Sequence, residues 1–199
     1  MKVLSAQQIR EADLYTIQNE PVSSLNLMER ASRLCTEWLL STYDEEHAFL
    51  VVCGNGNNGG DGLCIARQLH EAGRNAEVKI IRPAKNDSED FLHNLGRLKQ
   101  AQVPYEESAG AFSLHNGLTA VKLVIVDAIF GSGLTREPSG IAAEAIAAIN
   151  SAPFPKVAID IPSGLFCDDN SENPYVHVVR ARHTLSFQFP KLAFFFAEH

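Results

Sequence analysis

Hydrophobic residues along this chain fall into two rhythms, and their alternation predicts most of the elements. Ala48 to Cys53 and Leu123 to Val126 are continuous apolar runs, as expected for strands buried on both faces of a parallel sheet. Ala76 to Arg82 and Val157 to Ile159 read as further strands, with Val103 to Tyr105 as a short one. Between them the spacing turns helical: Leu63, Ile65, Ala66 and Leu69 up to Gly73, then Phe91, Leu92, Leu95 and Leu98 after the cap Asn86-Asp87-Ser88, then Ile141 to Ile149. Ser5-Ala6-Gln7-Gln8 fits a capping box and predicts a first helix from Ala6 to Gln18, ended by Asn19-Glu20-Pro21. A second helix starts near Leu25 and carries Leu27, Ala31, Leu34 and Trp38 on one stripe, a layer over the sheet or an oligomer contact. Val176 to Val179, Thr184 to Phe189 and Leu192 to Phe196 read as late strands. Strands alternating with helices imply an α/β sheet with parallel strands and right-handed crossovers.

Three predicted strand ends carry similar equipment, Gly54–Gly62, Asp127–Glu137 and Asp160–Gly164. In an open parallel sheet a ligand sits beyond the carboxyl ends of the strands, so these loops share one rim. The first holds Gly54, Gly56, Gly59, Gly60 and Gly62 and opens a helix, which suits an anionic guest. It also matches G-x-G-x-x-G, but the next strand ends in Arg82-Pro83 without the acid that holds a ribose hydroxyl. Asn57, Asn58 and Asp61 bring oxygens where a pyrophosphate prefers donors, so ordinary dinucleotide binding is disfavoured. Either Asp127 or Asp160 alone reads as a turn or cap residue. Both at strand ends, beside three glycine–oxygen loops, point to acid–base chemistry.

With 199 residues, 45% hydrophobic and 21% charged, the chain reads as one soluble domain over residues 1–199. A net charge of −7 argues against nucleic acid, and no apolar run is long enough to span a bilayer. No signal-peptide pattern precedes the first helix, so the cytoplasm is the expected compartment. Cys35, Cys53, Cys64 and Cys167 lack C-x-x-C spacing and read as reduced core thiols. His70, His93, His115, His177 and His183 stand singly, without zinc or triad spacing. The apolar ending Ala193 to Ala197, followed only by Glu198 and His199, fits a chain cut from a longer polypeptide.

Taken together, GNGNNGGDG (Gly54–Gly62), VDAIFGSGLTREPSG (Val126–Gly140) and AIDIPSGL (Ala158–Leu165) resemble the YjeF amino-terminal-domain family, the NAD(P)H-hydrate epimerases. LMERAS at Leu27–Ser32 and ARHTLSFQFPKLA at Ala181–Ala193 extend the resemblance over nearly the whole chain. It implies a Rossmann-like α/β/α sandwich with a mostly parallel sheet, assembled as a homodimer. The implied substrate is NADH or NADPH hydrated at C6 of the nicotinamide ring, whose R and S forms are interconverted. A companion ATP- or ADP-dependent dehydratase then repairs the S form. Position by position, Asn57, Asn58, Gly59, Gly60 and Asp61 are implied to contact substrate. Gly131, Ser132, Gly133, Leu134, Thr135, Arg136 and Glu137 are implied to hold its phosphates, and Asp160 to lie at the reacting ring as acid–base. Asn58, Asp127 and Ser163 are implied to ligate a potassium ion, and their oxygens suit a hard cation.

Two departures stand out: Asn19-Glu20-Pro21 replaces a turn that often contains glycine, and the chain ends soon after Lys191, where bacterial relatives often continue into the dehydratase. Two rival readings are a non-catalytic nucleotide- or RNA-binding scaffold of the same fold and an NAD(P)-dependent oxidoreductase. An intact Asp160 and the potassium set favour the enzyme over the scaffold; the missing ribose acid weighs against the oxidoreductase.

Overall fold

A segment apolar on both faces has to be covered on both, and the chain meets that demand by placing Ala48–Cys53 at the middle of a sheet. The computed structural model describes residues 2–20, 22–108, 110–114 and 122–196. It contains β1 (His47–Cys53), β2 (Ala76–Ile80), β3 (Tyr105–Glu107), β4 (Lys122–Ala128), β5 (Lys156–Ile159) and β6 (His183–Leu185). They form one sheet in the order β3-β2-β1-β4-β5-β6, with every neighbouring pair parallel. Pro21, His115 and Ala197–His199, which entered the expectations above, lie outside the described residues.

The two-residue period of β1 divides its side chains between two cores. Phe49, Val51 and Cys53 pack with Leu39 of α2 (Ser24–Thr42), Leu63 and Leu69 of α3 (Asn57–Glu71), and Phe91 and Leu98 of α4 (Glu89–Gln100). Ala48, Leu50 and Val52 pack instead with Ala145, Ile146 and Ile149 of α5 (Ile141–Ser151). The result is the expected α/β/α layering. The first helix, α1 (Ala6–Asn19), closes its capping box at Ser5 and Gln8 and buries Ile9 beside Ile161, Leu165, Cys167 and Ala193.

From β1 the chain moves outward through β2 and β3, then returns to the other side of β1 with β4 and moves outward again. This reversal is the doubly wound pattern, and it opens a crevice where the β1 and β4 carboxyl ends part. At that crevice the glycines are a packing requirement. A Cβ on Gly59 would sit 1.7 Å from the Gly54 carbonyl oxygen, and one on Gly54 would sit 2.2 Å from that of Ile129. α3 thus starts almost in backbone contact with the turn beneath it. Its N-cap is Gly56, with no side-chain cap, so its first N–H groups are left without a capping partner from that side chain.

Several elements differ from the sequence reading. The buried face of α2 is Met28, Ser32, Cys35, Thr36 and Leu39, whereas Leu34 of the expected stripe is 59% exposed. Small and polar Ser32 and Thr36 face inward because the glycine-rich start of α3 lies close; a Cβ on Gly60 would meet Met28 Sδ at 3.1 Å. The segment Val176 to Val179 is no strand: Asn150 Nδ2 donates to Val178 O and Val179 N–H donates to Ser163 O, so loop contacts replace a ladder. β6 stops at Leu185, short of Phe189, and Gln188 turns to φ +57°. Leu192–Phe195 is a 3₁₀ turn in place of a strand, directly after Pro190-Lys191. β3 forms two residues later than expected, at Tyr105–Glu107.

Gly59→Ala is expected to destabilise the fold by at least ~2 kcal/mol, because backbone cannot yield to the new methyl. Gly56→Ala, with nothing within 4 Å of its Cβ position, is expected to change stability little. Urea unfolding of the two variants checks the contrast.

Candidate active site

Each key side chain stands at or just beyond a strand end. Asp127 is the next-to-last residue of β4, flanked in register by Val52 and Ala158. It is completely buried, and its carboxylate accepts from Ser163 O–H (2.6 Å), Ser163 N–H (2.8 Å) and Ile129 N–H (3.2 Å). Burial pushes its carboxyl up to about 6, with those hydrogen bonds pulling the other way. Ser163 Oγ also accepts from Phe130 N–H at 2.9 Å, which ties the β4 loop to the β5 loop.

Asp160 follows β5 directly and holds φ +66°, a left-handed conformation uncommon outside glycine. Such strain costs about 1 kcal/mol or more and persists only where the surroundings impose it. Here they do. Its N–H donates to Leu185 O (2.8 Å), one carboxylate oxygen accepts from Ser132 N–H (2.8 Å), and the other pairs with Lys191 Nζ (2.9 Å). The backbone of Gly131 runs between Asp160 and Asn58: a Cβ there would lie 3.0 Å from Asp160 Oδ2 and 3.3 Å from Asn58 Cβ.

Asn58, on the first turn of α3, donates from Nδ2 to Ile159 O at 3.3 Å. Its Oδ1 is buried with no hydrogen-bond partner. An orphaned amide oxygen is costly unless something positive meets it. Asp127 adds a buried carboxylate that, among the described residues, is in no ion pair with a cationic side chain. Asn58 Oδ1, Asp127 and Ser163 are all oxygen donors of the kind that suits a hard cation, and Asp127 and Ser163 are in direct contact.

A cavity of about 1410 Å³ opens over this floor. Of the residues singled out from the sequence, Asn57, Asn58, Asp61, the whole stretch from Gly131 to Glu137, and Asp160 line it. Gly59 and Gly60 do not; they are packed against Gly54 and Met28, so their part is to let α3 approach. Asp127 and Ser163 lie outside the lining, buried in the floor. The opposite wall comes from α1 and α2, including Ile9, Leu27, Ala31, Leu34 and Trp38, so the misread apolar stripe faces the cavity.

Burial pushes the Asp61 carboxyl well above the usual carboxylate range, and the charge of Asp160 adds to the push. Its nearest side-chain donor is Ser32 Oγ at 3.5 Å, too long to offset the loss of water. Burial thus disfavours the charged form of Asp61 in the cavity wall, while Asp160 is held as an acceptor on both oxygens. The four cysteines are buried and unpaired, and burial raises the thiols of Cys35 and Cys64 to about 12 and that of Cys167 to about 11. None is a nucleophile at neutral pH.

Two residues escaped the sequence reading. Lys191 is fully buried and ion-paired to Asp160; the available signal was a lone cation between Pro190 and the apolar Leu192–Phe196. Asn55, also buried, donates to Ala84 O, Asn86 O and Asp87 and fixes the loop beyond β2. Its signal was a polar residue between two glycines of the turn.

Comparison with known proteins gives the family and supports the fold. Residues 24–193 match the family model described as YjeF-related protein N-terminus. An NAD(P)H-hydrate epimerase of Limosilactobacillus fermentum is 34% identical over 190 residues, covering 96% of this chain and 87% of that one. The bifunctional NAD(P)H-hydrate repair enzyme Nnr of Salinibacter ruber is 34% identical over 96% of this chain, which spans 37% of that protein. Among solved structures, yeast ynu0 (YNL200c) superposes with a TM-score of 0.73 at 27% identity, covering 98% of this chain and 83% of that one.

Because folding raises the Asp61 carboxyl above 3.8, its neutral form is favoured in the folded state, and stability is lost as pH rises above that value. Asp61→Asn is expected to match the wild type near pH 4 and to become the more stable of the two as pH rises towards 8. Urea denaturation across that range reads the widening gap.

Proposed function

This chain belongs to the family of YjeF-related protein N-termini, and on that footing we propose that it interconverts the R and S forms of NADH and NADPH hydrated at C6 of the nicotinamide ring. The observation that carries the proposal is Asp160, a strained carboxylate on the cavity wall, held on both oxygens, in a chain 34% identical over 190 residues to an NAD(P)H-hydrate epimerase.

C6 of the hydrate is a carbinolamine carbon, bearing a hydroxyl next to the ring nitrogen. Inversion there requires the carbon to become planar and to close again from the other face. Either the hydroxyl leaves to give an iminium, or the C6–N1 bond opens to an aldehyde. Both routes move one proton onto an oxygen or nitrogen and later take one back, and Asp160 is the group assigned to that exchange. Such a group contributes roughly 10²–10⁴-fold. The stretch from Gly131 to Glu137 receives the pyrophosphate, with backbone N–H groups and the Arg136 guanidinium as donors. Asn57 and Asp61 take polar atoms of the substrate from the α3 side.

Asn58, Asp127 and Ser163 would hold a potassium ion, a reading supported by the orphaned Asn58 Oδ1 and the buried Asp127 carboxylate. Bound there, potassium supplies a fixed positive charge that offsets Asp127 and favours an anionic dinucleotide. Homodimerisation is proposed through the α1–α2 side, where Tyr15 (68%) is uncovered and Leu14 (57%) and Leu34 (59%) are exposed on the cavity wall, so that a second copy would border the site. Sedimentation of the purified chain checks it; a single-copy mass at micromolar concentration would refute it. Four unpaired thiols suit a reducing compartment, and the cytoplasm is proposed. No helix among the described residues is long and apolar enough to cross a membrane. The S epimer is proposed to pass to an ATP- or ADP-dependent dehydratase.

The deciding experiment supplies mixed R and S hydrates with an S-specific dehydratase and follows consumption of the R form. Acceleration by this chain is expected, and Asp160→Asn is expected to reduce kcat by about 10²–10⁴-fold with the fold intact. Unchanged turnover in that variant defeats the assignment. Replacing potassium by tetramethylammonium is expected to lower the melting temperature of the wild type but not of Asn58→Ala, read by thermal denaturation.

A further inference from the structure

Of the two fully buried lysines among the described residues, Lys79 pairs with Glu106 and the other, Lys191, turns to the carboxylate just assigned to proton handling. Lys191 is 0% exposed and does not line the cavity. Its Nζ lies 2.9 Å from Asp160 Oδ1 and donates to Phe187 O (2.9 Å) and Phe189 O (3.3 Å). Three partners match the three protons of an ammonium, so every donor is used. A buried ammonium is stable only when paired, and among the described residues its one ion-pair partner is Asp160. Its neighbours in sequence are apolar, and Ala193, two residues on, packs with Ile9, Ile161, Leu165 and Cys167. Hydrocarbon could fill the same place without that desolvation.

The geometry also separates the two sides of Asp160. Ser132 N–H, from the loop that lines the cavity, holds Oδ2. Lys191, from the segment beyond β6, holds Oδ1 from behind. That segment is itself bent to deliver the ammonium: Gln188 adopts φ +57°, its amide contacts Asp13, and Pro190 precedes the lysine. Leu185 O meanwhile accepts from Asp160 N–H, so backbone and side chain of Asp160 are gripped by the same C-terminal stretch.

We propose that Lys191 is a positioning residue: its buried ammonium fixes the rotamer of Asp160 and keeps that carboxylate an acceptor facing the cavity. This inference rests on the reading of Asp160 as the acid–base group. It adds that the segment from Phe187 to Lys191 is part of the working site. A purely structural lysine, present to satisfy the turn carbonyls of Phe187 and Phe189, would make a different prediction, since its loss would lower stability and leave turnover alone.

The test compares the full chain with Lys191→Met, Asp160→Asn and the double variant, in steady-state epimerisation and in urea denaturation. Lys191→Met is expected to lose at least 30-fold in kcat with KM within threefold of wild type. The double variant is expected to be no slower than Asp160→Asn alone, because both changes disable one unit. Folded Lys191→Met with kcat within twofold of wild type, or losses that multiply in the double variant, would overturn the proposal. Should Lys191→Met fail to fold, the double variant decides: the proposal expects it to fold, because no bare carboxylate is left buried, and its failure counts against it. Should the wild type not act on the hydrates, the functional reading falls by itself. Denaturation then judges Lys191: stability regained when Asp160→Asn is added to Lys191→Met supports the pairing, and additive losses refute it.

Discussion

Backbone-to-backbone contact at the point where the sheet changes direction is the constraint on which this molecule turns. Gly54 lies under the Ile129 carbonyl, and Gly59 lies over the Gly54 carbonyl, at separations that admit no side chain. With α3 lowered this far, Asn58 reaches Ile159 O at the end of β5, two strands away from the strand that precedes its helix. The β4 loop is drawn in on the same axis: Gly131 passes between Asn58 and Asp160, and Phe130 N–H meets Ser163 Oγ. Three loops distant in sequence are thus fixed to one another by hydrogen bonds and steric contact before any ligand is considered. Preorganisation of this kind is what electrostatic and acid–base catalysis require.

The second theme is how a chain of net charge −7 keeps carboxylates beside a cavity suited to an anion. Three of them are met by different means. Burial and the neighbouring Asp160 disfavour the charged form of Asp61. Asp160 faces an ammonium that itself never reaches solvent. Asp127 collects three neutral donors and, in the proposed reading, shares a potassium ion with Asn58 and Ser163. Arg136 and the backbone N–H groups of the loop line the cavity that would receive the dinucleotide, and Glu137, the next residue, lies 2.9 Å from His177 Nδ1.

How much of this could be read in the residues alone varied by element. β1 and β4 were plain, because a strand covered on both faces needs an unbroken apolar run and little else produces one. Asp127 and Asp160 followed as strand-end acids, and the glycine-rich turn located the crevice. The face of α2 was misread because its inward side is built from Ser32, Cys35 and Thr36, small enough for a close helix, while its larger residues line a cavity. Hydrophobicity ranks such a helix backwards. The late strands failed for another reason: in Val176–Val179 and Leu192–Phe196 only Val178, Val179 and Ala193 reach a core while Val176, Leu192 and Phe194–Phe196 stay exposed, and composition records neither that nor where the backbone bonds go. Lys191 was invisible because its partner lies 31 residues away in the chain, and only folding reveals that the two meet.

The left-handed backbone at Asp160 bears on how this architecture can change over generations. Outside glycine, asparagine and aspartate are the residues that enter that region of conformational space most readily. Drift at this codon is therefore channelled toward Asn, which keeps the loop's shape and an amide oxygen for Lys191 while removing the proposed acid–base group; Gly would fit the backbone but leave that buried ammonium bare. A lineage relieved of its reaction would retain an intact hollow for a nucleotide, and a sensor or scaffold could descend from an enzyme by one substitution.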